Sequence, residues 1–152
     1  MAFKIENVEW EKDKHRLKAL REHVFVLEWR VPETSEFDSE DSSASHVLIV
    51  SDTDEPIATG RLTRQGELGR IAVKRCHRTL DVYRALFAAL IDAAIEKHVP
   101  MVKVVCNLES VSYHQSIGFK PDGQVFMDAG VPRQRLACPA ERFPLPDVTQ
   151  LH

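Results

Sequence analysis

GRIAVKRCHRTLDVYRALFAALIDAAIEKH, Gly69 to His98, joins two unlike periodic patterns through a basic loop. The strand side begins at Glu67, just after the turn-like Arg64-Gln65-Gly66, and runs to Val73; short and β-branched, it suits a central strand. From Val82 onward Leu86, Ala89, Leu90 and Ala93 recur at three- and four-residue steps, which predicts a helix with one broad buried face. A strand that turns directly into a helix brings the helix's first N–H groups, unpaired and partially positive, to the end of the strand. That is a ready anion site. Lys74, Arg75, His77, Arg78 and Arg84 place cations around it. The plainer reading of the same residues is an ordinary crossover in which Asp81 caps the helix.

At 152 residues and 43% hydrophobic content the chain can build one sizeable core, so a single domain is expected over 1–137, with an irregular tail over 138–152 that holds Pro139, Pro144 and Pro146. A net charge of -3 gives no bulk attraction to nucleic acid or to an anionic membrane. No apolar run approaches the ~18 residues of a membrane span, and Met1 to Glu6 lacks the apolar stretch of a secretion signal, so a cytoplasmic protein is expected. Cys76, Cys106 and Cys138 show no C-x-x-C spacing and read as reduced thiols. The seven histidines show no paired ligand spacing, so no metal is expected.

Along the chain, Phe3 to Val8 reads as a first strand. Asp13 reads as the cap of a helix whose apolar positions are Leu17, Leu20, Val24 and Leu27, ending by Pro32. Thr34 to Ser45 is acidic and polar, a loop. It is either a solvated connection or a border whose carboxylates attract an amine. His46 to Val50 and Pro56 to Thr63, split by the turn signal Ser51 to Glu55, form a hairpin. Met101 to Cys106 is apolar enough for an interior strand, reached by a right-handed crossover. Asn107 to Phe119 reads as a short helix that ends at Gly118. The fold class is therefore mixed α/β.

Several segments, in order, resemble the GNAT acyl-CoA-dependent N-acetyltransferases. Ile71-Ala-Val73 followed by Arg78-Thr-Leu-Asp81-Val-Tyr83 is similar to their motif A, in which Arg/Gln-x-x-Gly-x-Gly/Ala opens the long helix; here Asp81 and Tyr83 fill both glycine positions. Arg21 to Pro32, with Glu36-Phe-Asp38 and Asp41 after it, resembles the small ElaA-type branch, with Trp29 in place of a glutamine. The Asn107 to Phe119 segment resembles the family's N-x-x-(A)-x-x-(F)-Y-x-x-x-G-F element, with His114 at the tyrosine position and Tyr113 before it; Asp128-Ala-Gly-Val-Pro-Arg133 resembles a closing D-G-I-P-H element.

The resemblance implies a mostly antiparallel sheet with one crossover helix, and acetyl-CoA as acyl donor to an amine of a small molecule or peptide. It implies that Ile71, Ala72 and Val73 face the pantetheine arm. Arg78, Thr79, Leu80, Asp81, Val82, Tyr83 and Arg84 would face the pyrophosphate, with Asn107 nearby. Tyr113 or His114 would give a proton to the sulfur. For the general base Glu28, Glu36 and Glu67 are all candidates, Glu28 standing first. If Asp81 is the cap, its carboxylate takes the phosphate-binding amides, and Asp81→Gly should tighten coenzyme A binding about tenfold or more. A non-catalytic module with a decayed cofactor loop is the alternative. Oligomeric state is left open, a homodimer included.

Overall fold

In the computed structural model, which describes residues 2–30 and 37–146, the chain runs β1 (Phe3–Val8), α1 (Trp10–Arg21), β2 (Ser45–Ser51), β3 (Pro56–Leu62), β4 (Leu68–Val73), α2 (Leu80–Glu96), β5 (Met101–Asn107), α3 (Val111–Ser116), β6 (Lys120–Pro121), β7 (Phe126–Asp128) and β8 (Val131–Pro139). Strands β1-β2-β3-β4 make one antiparallel sheet in that order, and β5, β8, β6 and β7 make a second. β2 is buried on both faces. Its even-numbered Leu48 and Val50 meet Leu17, Leu20 and Val24, while odd-numbered Val47 and Ile49 meet Val82, Leu86 and Leu90 of α2. This is why its sequence is a continuous apolar run rather than an alternating one.

Two expectations for the first helix need correcting. Asp13 is not its cap: Glu9 holds that position without a side-chain bond, and Asp13 instead binds Arg16, which also reaches Glu6. After Arg21 the helix widens into a π-helical segment, Glu22–Glu28. The wider turn rotates Leu27 out of the apolar stripe begun by Leu17, Leu20 and Val24, and it is 67% exposed. β8 continues to Pro139 and buries Cys138, whose thiol burial pushes up to about 11.

β4 and β5 lie side by side but share one parallel bridge, Glu67↔Lys103, so β5 is not an interior strand of one continuous sheet. That bridge is held by Lys103 N–H donating to the Gly66 carbonyl at 2.8 Å. Gly66 has φ +90, and a Cβ there would lie 2.7 Å from the Met101 carbonyl oxygen, so only glycine allows this approach. β4 carries a bulge as well: Thr59 pairs with Ala72 and Arg61 with Gly69, so Arg70 and Ile71 together oppose Gly60. Arg70 sits at φ 50, a left-handed conformation disfavoured for a residue with a Cβ.

A buried ionic chain ties the loop before β2 to this sheet. Arg21 pairs with Asp41 at 2.7 Å, Arg61 with both Asp41 at 2.9 Å and Asp38 at 2.7 Å, and Arg70 with Asp38 at 3.0 Å. Burial pushes His46 below its ordinary value, which keeps the ring neutral, and it bonds the Asp41 carbonyl at 2.8 Å. The Arg61 guanidinium, hydrogen-bonded to both Asp38 oxygens, holds that carboxyl at about 2 against an ordinary 3.8. Stability from this pair is present in full above the ordinary value and is lost as pH falls through the folded one. The shift corresponds to ~2.4 kcal/mol, reduced to about 1–2 kcal/mol because the Asp38 side chain is a third exposed. Urea unfolding at pH ~4 and ~2 should show wild type losing that much more than Asp38→Asn; equal losses would mean the pair contributes nothing to acid stability.

Candidate functional site

The β4–β5 junction has two ends of different chemistry. At the far end the chain leaves Val73, makes a 3-10 turn at Arg75–His77 and enters α2. Thr79, in extended conformation, is the N-cap, and its hydroxyl accepts from Val82 N–H. Asp81 is therefore not the cap. It lies exposed one position inside the first helical turn, so its carboxylate is a negative charge at the anion end of α2 without occupying the amides there. The Val82 and Tyr83 N–H groups are taken by Thr79, so the first-turn amides left to a ligand belong to Leu80 and Asp81. Tyr83 is half-buried and burial raises its hydroxyl above the usual range, so it stays protonated.

Arg78 is engaged within the protein. It donates to the Val73 carbonyl at 2.9 Å, ion-pairs with Glu28, and lies over the Trp29 ring. Arg75 approaches the same Glu28 carboxylate at 3.6 Å. The Arg78 hydrogen bond, with the nearby charges of Arg78 and Arg75, holds Glu28 below the ordinary carboxylate range, which makes it a poor proton acceptor. The π-helical segment thus places Glu28 against the basic loop. Arg84 reaches the Pro146 carbonyl at 2.8 Å, and Asn107 is exposed at the end of β5.

At the closed end, beside the Glu67↔Lys103 bridge, a cleft of about 520 Å³ opens on the face of the sheet away from α2. Glu67 comes from just before β4, Gly69 and Arg70 from its start, Arg61 from β3, Lys103 from β5, Arg135 from β8, and Asp38 from the acidic loop. Of the three candidate bases, Glu67 is the one that lines this cleft; Glu36 lies outside the described residues. Glu67 pairs with Arg135 at 3.3 Å, both side chains about a third exposed.

Tyr113 and His114 lie on α3 and are not among the residues that line this cleft. His114 Nδ1–H donates to the Ser110 carbonyl at 2.8 Å, which leaves Nε2 for other partners, and its ring packs edge-on to Tyr113 and Phe119. Sequence reasoning did not single out Arg61, Arg70, Lys103, Asp122 or Arg135 as cleft residues. The signal for Arg61 is a charge on one face of an otherwise apolar strand, facing an acidic loop.

Residues 15–138 match the family model of the acetyltransferase (GNAT) domain. The chain belongs to that family. Its curated relatives include the uncharacterized N-acetyltransferase YjcF of Bacillus subtilis, 29% identical over 132 residues that cover 82% of this chain and 94% of that one, and the uncharacterized protein YyaT of the same organism, 27% identical over 134 residues covering 84% and 90%. Among solved structures, an acyl-CoA N-acyltransferase from Pseudomonas aeruginosa superposes with a TM-score of 0.75 at 19% identity, covering 90% of this chain and 99% of that one. Escherichia coli ElaA superposes with a TM-score of 0.72 at 21% identity and the same coverage. The protein is thus a GNAT-type acyltransferase of mixed α/β fold, of a family that uses acyl-CoA donors. Among the described residues no helix is long and apolar enough to cross a membrane.

Proposed function

We propose that this protein moves an acetyl group from acetyl-CoA to the amine of a small molecule or peptide, with Glu67 as proton acceptor. The observation that carries the reading is the pairing of two sites on one strand: a helix N-terminus ringed by cations after Val73, and an open carboxylate-bearing cleft at Glu67. The donor supplies an acetyl group activated as a thioester. On this reading the Leu80 and Asp81 amides, with Arg75 and Arg78, hold the pyrophosphate, and the backbone of Ile71, Ala72 and Val73 aligns the pantetheine arm. Glu67, directly or through a water, takes one proton from the incoming ammonium; His114 or the Tyr113 hydroxyl gives a proton to the departing sulfur and is replenished by the second proton the nitrogen loses as the amide forms. The acceptor nitrogen gains the acetyl carbon as the carbon–sulfur bond breaks, giving an amide and a free thiol.

Acetyl-CoA at ~100 times its dissociation constant should stabilise the protein by ~2.7 kcal/mol in a thermal-shift titration. No shift at millimolar acetyl-CoA would sink the enzyme reading in favour of a module whose loop no longer binds the donor.

Asp81 tunes this step through its charge alone. With Thr79 as the cap, Asp81→Gly adds a helix penalty of ~1 kcal/mol without freeing an amide, so Asp81→Asn is the informative change. An exposed charge in the first turn is worth ~0.3–1 kcal/mol, so calorimetry should find coenzyme A bound about two- to fivefold more tightly by Asp81→Asn. Weaker binding would mean that the carboxylate helps to hold the ligand.

A further inference from the structure

We propose that the acceptor is a zwitterion, an amino acid or a close derivative whose carboxylate is held by Lys103 and Arg135 while its amine faces Glu67; this rests on the transfer reading above. The β5–β8 register sets the two cations together. Lys103 lies opposite Ala137 and Val105 opposite Arg135, so Lys103 and Arg135 are diagonal neighbours on one face of the sheet, ~7–8 Å apart by ordinary strand spacing. That separation suits two cations converging on one carboxylate between them. Glu67 adjoins both, bridged to Lys103 through the backbone and paired with Arg135 through its side chain.

The present partners of these cations are loose. Lys103–Asp122 spans 3.4 Å and Arg135–Glu67 spans 3.3 Å, each side chain a third to nearly a half exposed. Such pairs contribute little and exchange readily for a ligand. Asp122 is anchored beside them by its N–H on the Arg135 carbonyl at 2.8 Å. The cleft wall thus alternates in sign. A simple cation would meet Lys103 and Arg135, and a simple anion would meet Glu67 and Asp122. A small molecule carrying both charges meets complementary groups at each end.

Gly69 keeps the space open. A Cβ there would touch nothing within 4 Å, and its backbone is not in the left-handed region, so neither packing nor conformation requires glycine. Its missing side chain leaves the cleft wall between Glu67 and Arg70 bare. At about 520 Å³ the cleft falls in the ordinary range for small-molecule sites, ~300–1,000 Å³.

In the reaction the acceptor's ammonium gives a proton to Glu67 and its nitrogen bonds to the acetyl carbon. The carbon–sulfur bond breaks, the sulfur leaves as the thiol, and the second proton that the nitrogen loses on forming the amide balances the one the sulfur gains. The carboxylate is a handle only and is unchanged.

The test measures thiol release from acetyl-CoA with each L-α-amino acid beside its own carboxamide, and with butylamine, for wild type, Lys103→Gln and Lys103→Arg. Wild type should acetylate at least one amino acid with kcat/KM about tenfold or more above its carboxamide, the difference residing in KM. Lys103→Gln should erase most of that preference and Lys103→Arg should restore it, a pattern that a general structural defect does not produce. Comparing variants also cancels the intrinsic difference in basicity between the two amines. Equal or faster transfer to carboxamides or butylamine, or a preference unchanged in Lys103→Gln, overturns the zwitterion while leaving the transferase intact. So does acetyl-CoA binding without transfer to any amino acid. Failure of acetyl-CoA to bind removes both readings. As an independent check, Gly69→Leu should abolish acceptor use yet keep wild-type acetyl-CoA binding and thermal stability; retained acceptor turnover would overturn the placement of the acceptor in this cleft.

Discussion

Asp41→Ala should lower the unfolding free energy by about 3–5 kcal/mol, the largest stability effect expected of any single polar substitution in this chain. Asp41 is 1% exposed and joins two guanidiniums, Arg21 at 1% and Arg61 at 6%, that have almost no access to water. Removing its carboxylate takes from both guanidiniums the charge that links them, while Arg61 keeps its pair with Asp38, and the cost is that of weakening a buried ionic chain together with the bonds lost. For a chain of this length the change corresponds to a drop in Tm on the order of 10 °C. Replacing the linked pair together, Asp41→Leu with Arg21→Met, should recover much of the loss. If the single variant loses less than ~1 kcal/mol, the buried chain is not what fixes the loop. The same loop carries Asp38 into the cleft, so a folded Asp41 variant should also show a raised KM for the acceptor while its affinity for acetyl-CoA stays as in wild type.

What the sequence made legible was local. The step from Glu67–Val73 to the long helix could be read because its periodicity changes from strand to helix within a few residues, and both halves appear where expected. The cap was misassigned by two residues because Thr79 and Asp81 are both good capping residues, and only the backbone turn decides between them. Leu27 was misplaced because a π-helical segment has no distinct apolar signature: the spacing from Val24 looks helical whichever pitch the chain adopts. The cleft was harder still. Its residues come from four strands and the loops between them, and what brings Arg135 beside Lys103 is strand register rather than proximity in sequence. Glu67 could be named as a candidate, but its separation from Glu28 required knowing that Glu28 is already committed to Arg78 and Arg75.

That separation yields the second large expected effect. Glu67→Gln should reduce kcat by roughly 10²–10⁴, the usual contribution of a positioned proton acceptor, with the dissociation constant for acetyl-CoA within about twofold of wild type. The change is nearly isosteric, and the Glu67–Arg135 pair it removes is about a third exposed at 3.3 Å, so the stability cost should stay under ~1 kcal/mol. Glu28→Gln makes the contrast. It withdraws the carboxylate from Arg78 and Arg75, so its expected effect is tighter binding of coenzyme A with kcat close to wild type. Stopped-flow or steady-state thiol release at several pH values, with calorimetry of the donor, reads both variants. Loss of turnover in Glu28→Gln, with Glu67→Gln unaffected, would reverse the assignment and put the chemistry at the basic loop instead of the cleft.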